Sequence, residues 1–149
     1  MKIHPDFADF TAALNHNRVE YVIVGAFALA FWGAPRYTGD VDIWIRPTVP
    51  NADALLRAVE EFGFKSLSLT AQDILSGDII QMGYPPMRID LITVLDGISA
   101  GEIWSSRRKG PFGEHTVFYL GKDAFIKNKR AAGRPKDVAD VASLEESAE

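Results

Sequence analysis

Phe7, Phe10 and Leu14 recur at helical spacing within PDFADFTAALNHN, which predicts a short amphipathic helix over 5–17. YVIVG, 21–25, is rich in β-branched residues and predicts a buried strand. AFALAFWG, 26–33, is helix-forming and stops at Gly33 ahead of Pro35. After a loop PRYTG, 35–39, DVDIWI predicts a strand over 40–45 that Pro47 ends. NADALLRAVEEFGF, 51–64, predicts a second amphipathic helix with Asn51 as its N-cap. TAQDILSGD, 70–78, holds another helical turn or two, and IIQMGY and MRIDLITVL follow as strands joined at Pro85-Pro86 like a hairpin. Residues 99–108 predict a helix, HTVFYLG a strand, and 121–146 two helices broken near Gly133 and Pro135. The order of elements predicts an α/β (α+β) domain: a mixed sheet flanked by helices, with a helical C-terminal cap at about 121–146. The length of 149 residues fits one domain, 1–149, and no internal repeat interrupts it.

Composition narrows the classes of function. There is no cysteine, so disulfides, thiolate metal sites and a cysteine nucleophile are excluded. The first twenty residues lack the long apolar run of a signal peptide, and no stretch approaches the roughly 20 apolar residues that span a bilayer. A cytoplasmic protein without a membrane partner is expected. The net charge of −4 argues against a general nucleic-acid coat protein. Basic residues are nonetheless clustered, at Arg107, Arg108 and Lys109 and again from Lys122 to Lys136, so a local polyanion site stays open.

The chemistry concentrates in carboxylates. Asp40 and Asp42 are separated by one strand residue, so both side chains take one face while Val41, Ile43 and Ile45 take the other. Asp90 stands inside the apolar run IDLITV. If the strands of Asp42 and Asp90 are neighbours, three oxygen donors meet over the sheet. Such a cluster repels itself unless a cation lies between its members, and Mg²⁺ or Mn²⁺ suits carboxylates completed by water and phosphate. A lone D-x-D is more often a solvated strand end. Here Gly25 closes a strand and Ala26 opens a helix, which aims free backbone N–H groups at any nearby phosphate.

The segment VGAFALAFWGAPRYTGDVDIWI resembles the signature of the polymerase-β-type nucleotidyltransferase superfamily. Thirteen residues separate Val24-Gly25-Ala26 from Asp40-Val41-Asp42, and Asp90 in MRIDLI fits the place of the third family carboxylate. The tail KNKRAAGRPKDVADVASLE is similar to the C-terminal helices of small bacterial members related to abortive-infection toxins. The resemblance implies an Mg²⁺-dependent enzyme that moves a nucleoside monophosphate from an NTP to a hydroxyl of RNA or protein. It implies Asp40 and Asp42 as metal ligands and Asp90 as the ligand nearest the acceptor hydroxyl. It also implies Gly25 and Ala26 as backbone donors to phosphate. Alanine at 26 departs from the serine or glycine common there and removes a hydroxyl.

Arg36 and Thr38, in the loop before Asp40, are further nucleotide-binding candidates. Lys129, Arg134 and Lys136 are candidates for phosphate or an RNA acceptor, against the plainer reading of a solvated helix face. Arg46 and Arg88 share strand parity with Asp42 and Asp90, and suit either a structural ion pair or nucleotide guidance. Asp137 and Asp140 match acidic positions in the toxins' tail but have the spacing of ordinary helix-surface acids. Trp44 falls on the carboxylate face, as a base-stacking or packing residue, while Trp32 and Trp104 read as core. His4, His16 and His115 show no metal-site spacing. With no separate acceptor-recognition domain, a partner protein is expected to supply one. The competing function is a non-catalytic, antitoxin-like interaction protein that retains the fold.

Overall fold

The computed structural model describes residues 3–35, 38–63, 68–84 and 87–147. The chain opens with helix α1 (Pro5–His16), strand β1 (Tyr21–Val24), helix α2 (Gly25–Phe31) and strand β2 (Asp40–Ile45). Helices α3 (Val49–Phe62) and α4 (Ala71–Leu75) precede strands β3 (Ile80–Tyr84) and β4 (Met87–Ile92). Helix α5 (Ala100–Ser106), strands β5 (Arg108–Phe112) and β6 (His115–Tyr119), and helices α6 (Lys122–Ala132) and α7 (Pro135–Ser147) complete it.

The strands form one mixed sheet in the order β3-β4-β2-β1-β6-β5. β2 runs parallel to β4 and β1 parallel to β6, while the remaining pairs are antiparallel. The apolar alternation sets the register: Val41, Ile43 and Ile45 are fully buried on one face, in a core layer shared with residues of α1 and α3. Phe7, Phe10 and Leu14, the predicted stripe of α1, fill that layer with Leu55 and Val59. A shift of one residue along β2 would bury both aspartates, and the cost of burying unpaired charge excludes it.

Several expectations are corrected. The segment 99–108 is helical only to Ser106, where Arg107 turns extended ahead of β5. The sequence RKGPF carries no alternation of its own. It pairs because β6 lies beside it across the Gly113-Glu114 turn, with Gly113 at φ +63°. Pro111 is tolerated because β5 is the sheet edge. The N-cap of α3 is Thr48, whose hydroxyl accepts from Asn51 N–H. Asn51 is instead buried, accepting from Glu20 N–H at 2.7 Å and donating to the Glu20 and Arg46 carbonyls, both at 2.9 Å. The strand expected over 87–95 ends at Ile92. Trp32 and Trp104 are half-buried rather than core, with the Arg108 guanidinium over the former and that of Arg107 over the latter. Trp44 is fully buried, its indole N–H donating to Thr93 O at 3.1 Å, which removes it as a base-stacking surface.

Candidate active site

The parallel β2–β4 ladder assembles the acids. Asp40 lies opposite Arg88 and Asp42 opposite Asp90, so all four side chains share one face of the sheet. The condition left open by the sequence, that the strands of Asp42 and Asp90 adjoin, is met. The Asp42 carboxyl is pushed up to about 6, first by burial and then by the Asp90 and Asp40 charges, with Lys129 opposing. Gly25 forms the other wall. Its φ is +65°, and a Cβ there would lie 2.2 Å from Asp42 Oδ2, so glycine is required both by the backbone and by the space Asp42 fills.

Arg88 sits among the acids. Its Nε donates to Asp90 Oδ1 at 3.1 Å, and one terminal nitrogen reaches Asp90 Oδ2 at 3.2 Å and Asp40 Oδ2 at 2.7 Å. Of the two uses left open for Arg88, the structure shows the ion pair. Arg46 pairs with Glu20 at 3.1 Å, outside this group.

A cleft of about 460 Å³ opens over Asp42 and Asp90, lined also by Gly25, Gln81, Lys129 and Arg134 among others, with Asp40 outside its lining. A larger hollow of about 720 Å³ lies between α1, α3 and β6. It holds Asp6, His16, Glu61 and His115 but none of the strand carboxylates.

The remaining candidates are placed as follows. Ala26 is buried just behind the Gly25 wall. The Thr38 hydroxyl accepts from Asp40 N–H and contacts Asp40 O, both at 3.1 Å, and so holds the entry to β2. Arg36 lies outside the described residues. Lys129 reaches the cleft from α6 but is 8% exposed, with Nζ 3.3 Å from Asp137 Oδ1 and 3.5 Å from Asp140 Oδ2. The solvated-face reading therefore fails for Lys129 and for its partners. Asp137 is fully buried and Asp140 nearly so. Arg134 forks onto Asp137 at 2.8 and 3.3 Å, and its own N–H donates to the same carboxylate at 3.1 Å. The Asp137 carboxyl is held down at about 2, mainly by the Arg134 side chain. Gly133, at φ +67°, turns the chain between α6 and α7 so that these groups face each other. A lysine before that turn and acids one and two turns into the next helix were the available signal.

The donor set, carboxylate oxygens from neighbouring strands with the Asp42 carboxyl raised by the Asp90 and Asp40 charges, fits a hard divalent cation. Among the described residues no three acidic or imidazole groups are preassembled around one point. Arg88 instead bridges the Asp40 and Asp90 carboxylates.

Comparison with solved structures places the fold. The chain is similar to the antibiotic-resistance factor ANT(2'')-Ia, with TM-score 0.61 and 14% identity over 97% of this chain and 83% of that one. It is similar to the lincosamide antibiotic adenylyltransferase LnuA in its lincomycin-bound form, with TM-score 0.57 and 10% identity over 97% and 98%. It is also similar to TM1012 of Thermotoga maritima, described as a candidate nucleotidyltransferase, with TM-score 0.61 and 15% identity over 97% and 94%. No protein-family model and no curated protein sequence matches the chain. The fold is that of the nucleotidyltransferases, as the resemblance implied. Among the described residues no helix is long and apolar enough to cross a membrane.

Proposed function

We propose that the chain is a nucleotidyltransferase that uses Mg²⁺ or Mn²⁺ to transfer a nucleoside monophosphate from an NTP to a hydroxyl of RNA or protein. The observation that carries this reading is the in-register pairing of Asp42 with Asp90 over Gly25, with Asp40 on the same face. Asp40, Asp42 and Asp90 would hold the metal, which when bound neutralises charge on the phosphates and on the entering and leaving oxygens. The acceptor oxygen forms a bond to the α-phosphorus, the bond from that phosphorus to the bridging oxygen breaks, and pyrophosphate leaves. The acceptor proton passes to Asp90 or to water. Gly25 and Ala26 would present backbone N–H groups to phosphate at the strand-to-helix turn, and Arg36 and Thr38 would add contacts to the nucleotide. Lys129 adds positive potential at the cleft wall while locked to Asp137 and Asp140.

The test is incubation with each α-labelled NTP and Mg²⁺ or Mn²⁺, offering total RNA, lysate protein and, because two structural neighbours are named for antibiotics, a panel of antibiotics. Metal-dependent label on RNA or protein that is lost in Asp90→Asn supports the proposal. Label on an antibiotic alone would overturn the acceptor class. No label on any acceptor would favour the non-catalytic, partner-binding alternative.

A further inference from the structure

Arg88 occupies the position where neutralising charge is needed. Its guanidinium spans Asp40 and Asp90, which belong to different strands, and uses two nitrogens to do so. Its backbone adds to the anchoring, since Arg88 N–H donates to Gly39 O at 3.2 Å. The fork fixes Asp90 from two sides, whereas Asp40 is held by one hydrogen bond through Oδ2. Asp40 is therefore the arm that can be released without disturbing the bidentate pair. The Arg88 side chain is 30% exposed, so it is not locked in the core.

We propose that Arg88 is a positioning residue that stands in for the divalent cation. It holds Asp40 and Asp90 in place while no metal is bound, and gives up Asp40 when the ion enters. The inference rests on the metal-site reading above. Its physical basis is direct: a guanidinium and a divalent ion compete for the same carboxylate oxygens, and each disfavours the other through like charge. Three acids on one sheet face would otherwise face each other without a cation among them, so the arginine neutralises Asp40 and Asp90 in the metal-free protein at a cost in metal affinity. A merely structural ion pair would be left intact by the metal and would not weaken its binding.

The experiment uses Mn²⁺ alone, without nucleotide, and reads free Mn²⁺ by electron paramagnetic resonance for wild type, Arg88→Gln and Asp42→Asn. Arg88→Gln removes the competitor and a positive charge, so Mn²⁺ binding tightens by roughly tenfold. Melts in EDTA accompany the titrations: Arg88→Gln melts below wild type, and excess Mn²⁺ closes most of the gap. If Arg88→Gln does not fold, Arg88→Met replaces it, keeping an apolar stem but losing both the charge and the fork, and still binds Mn²⁺ more tightly than wild type. Equal or weaker Mn²⁺ binding in the folded Arg88 variant overturns the inference, even when wild type binds Mn²⁺ through Asp42 and the metal-site reading stands. Absence of Asp42-dependent Mn²⁺ binding in every protein overturns both.

Discussion

Gly25 and Asp42 share a space that holds only one side chain: a Cβ on Gly25 would lie 2.2 Å from Asp42 Oδ2 and 3.0 Å from Asp42 Cγ. The turn from β1 into α2 is thus built around the carboxylate. Gly25→Ala combines this clash with a positive φ, and it should destabilise the fold by about 1–3 kcal/mol. A carboxylate displaced by as little as 1 Å should cost transfer activity on the order of 100-fold. Melting and label transfer measured together check this. A variant that melts and transfers like wild type would show that the turn relaxes without moving Asp42.

Asp42 also sets a pH signature. Its folded-state pKa is raised to about 6 by burial and by the neighbouring acids. The folded protein therefore binds this proton more readily than the unfolded chain does. In metal-free buffer, stability from this group falls as pH rises from about 4 to about 6, and the penalty is complete above that window. Asp42→Asn removes the charge, so in EDTA at pH 7.5 it should melt higher than wild type. A relief of about 3 kcal/mol corresponds to roughly 6–12 °C for a domain of this size. At pH 4 the two proteins should melt nearly together. A variant that melts well below wild type at pH 7.5 would make Asp42 a structural partner.

Lys129 joins α6 to α7 through two buried carboxylates. Lys129→Met preserves length and removes the charge, leaving Asp137 and Asp140 with less compensation. Breaking a buried pair from one side costs about 3–5 kcal/mol, so chemical denaturation should show a loss in that range. Arg134 retains its own fork on Asp137, which places the expected value toward the lower end. Unchanged stability with weakened nucleotide binding would return Lys129 to a phosphate role.

Gly110 tests the edge strand that the sequence concealed. A Cβ there would come within 2.4 Å of Phe31 Cε1 and 3.1 Å of Tyr119 Cε2. Phe31 and Tyr119 stack face to face, with centroids 4.2 Å apart at 6°, and leave no slack between them. Gly110→Ala should destabilise by about 1–3 kcal/mol, and Phe31→Leu should recover part of that loss. Additive losses in the double variant would show that the two side chains do not compete for space.

The elements that carry their own periodicity were legible in the chain: the α1 stripe of Phe7, Phe10 and Leu14, the buried run of β1, and the alternation of β2. Alternation also put Asp40 and Asp42 on one face, because side-chain direction in a strand is a local property. What lay beyond the sequence depended on which strands became neighbours. Residues 108–112 have no strand pattern, and they pair because β6 offers an edge. Asn51 has the look of a cap, yet it is buried because the Glu20 and Arg46 backbones converge on it. Asp137 and Asp140 have surface spacing, and become buried once the Gly133 turn folds α7 back onto Lys129. The adjacency of Asp42 and Asp90, and the Arg88 fork that ties Asp90 to Asp40, arise from the β2–β4 register. That register reflects the burial of the whole sheet, a sum over many distant contacts that no local spacing encodes.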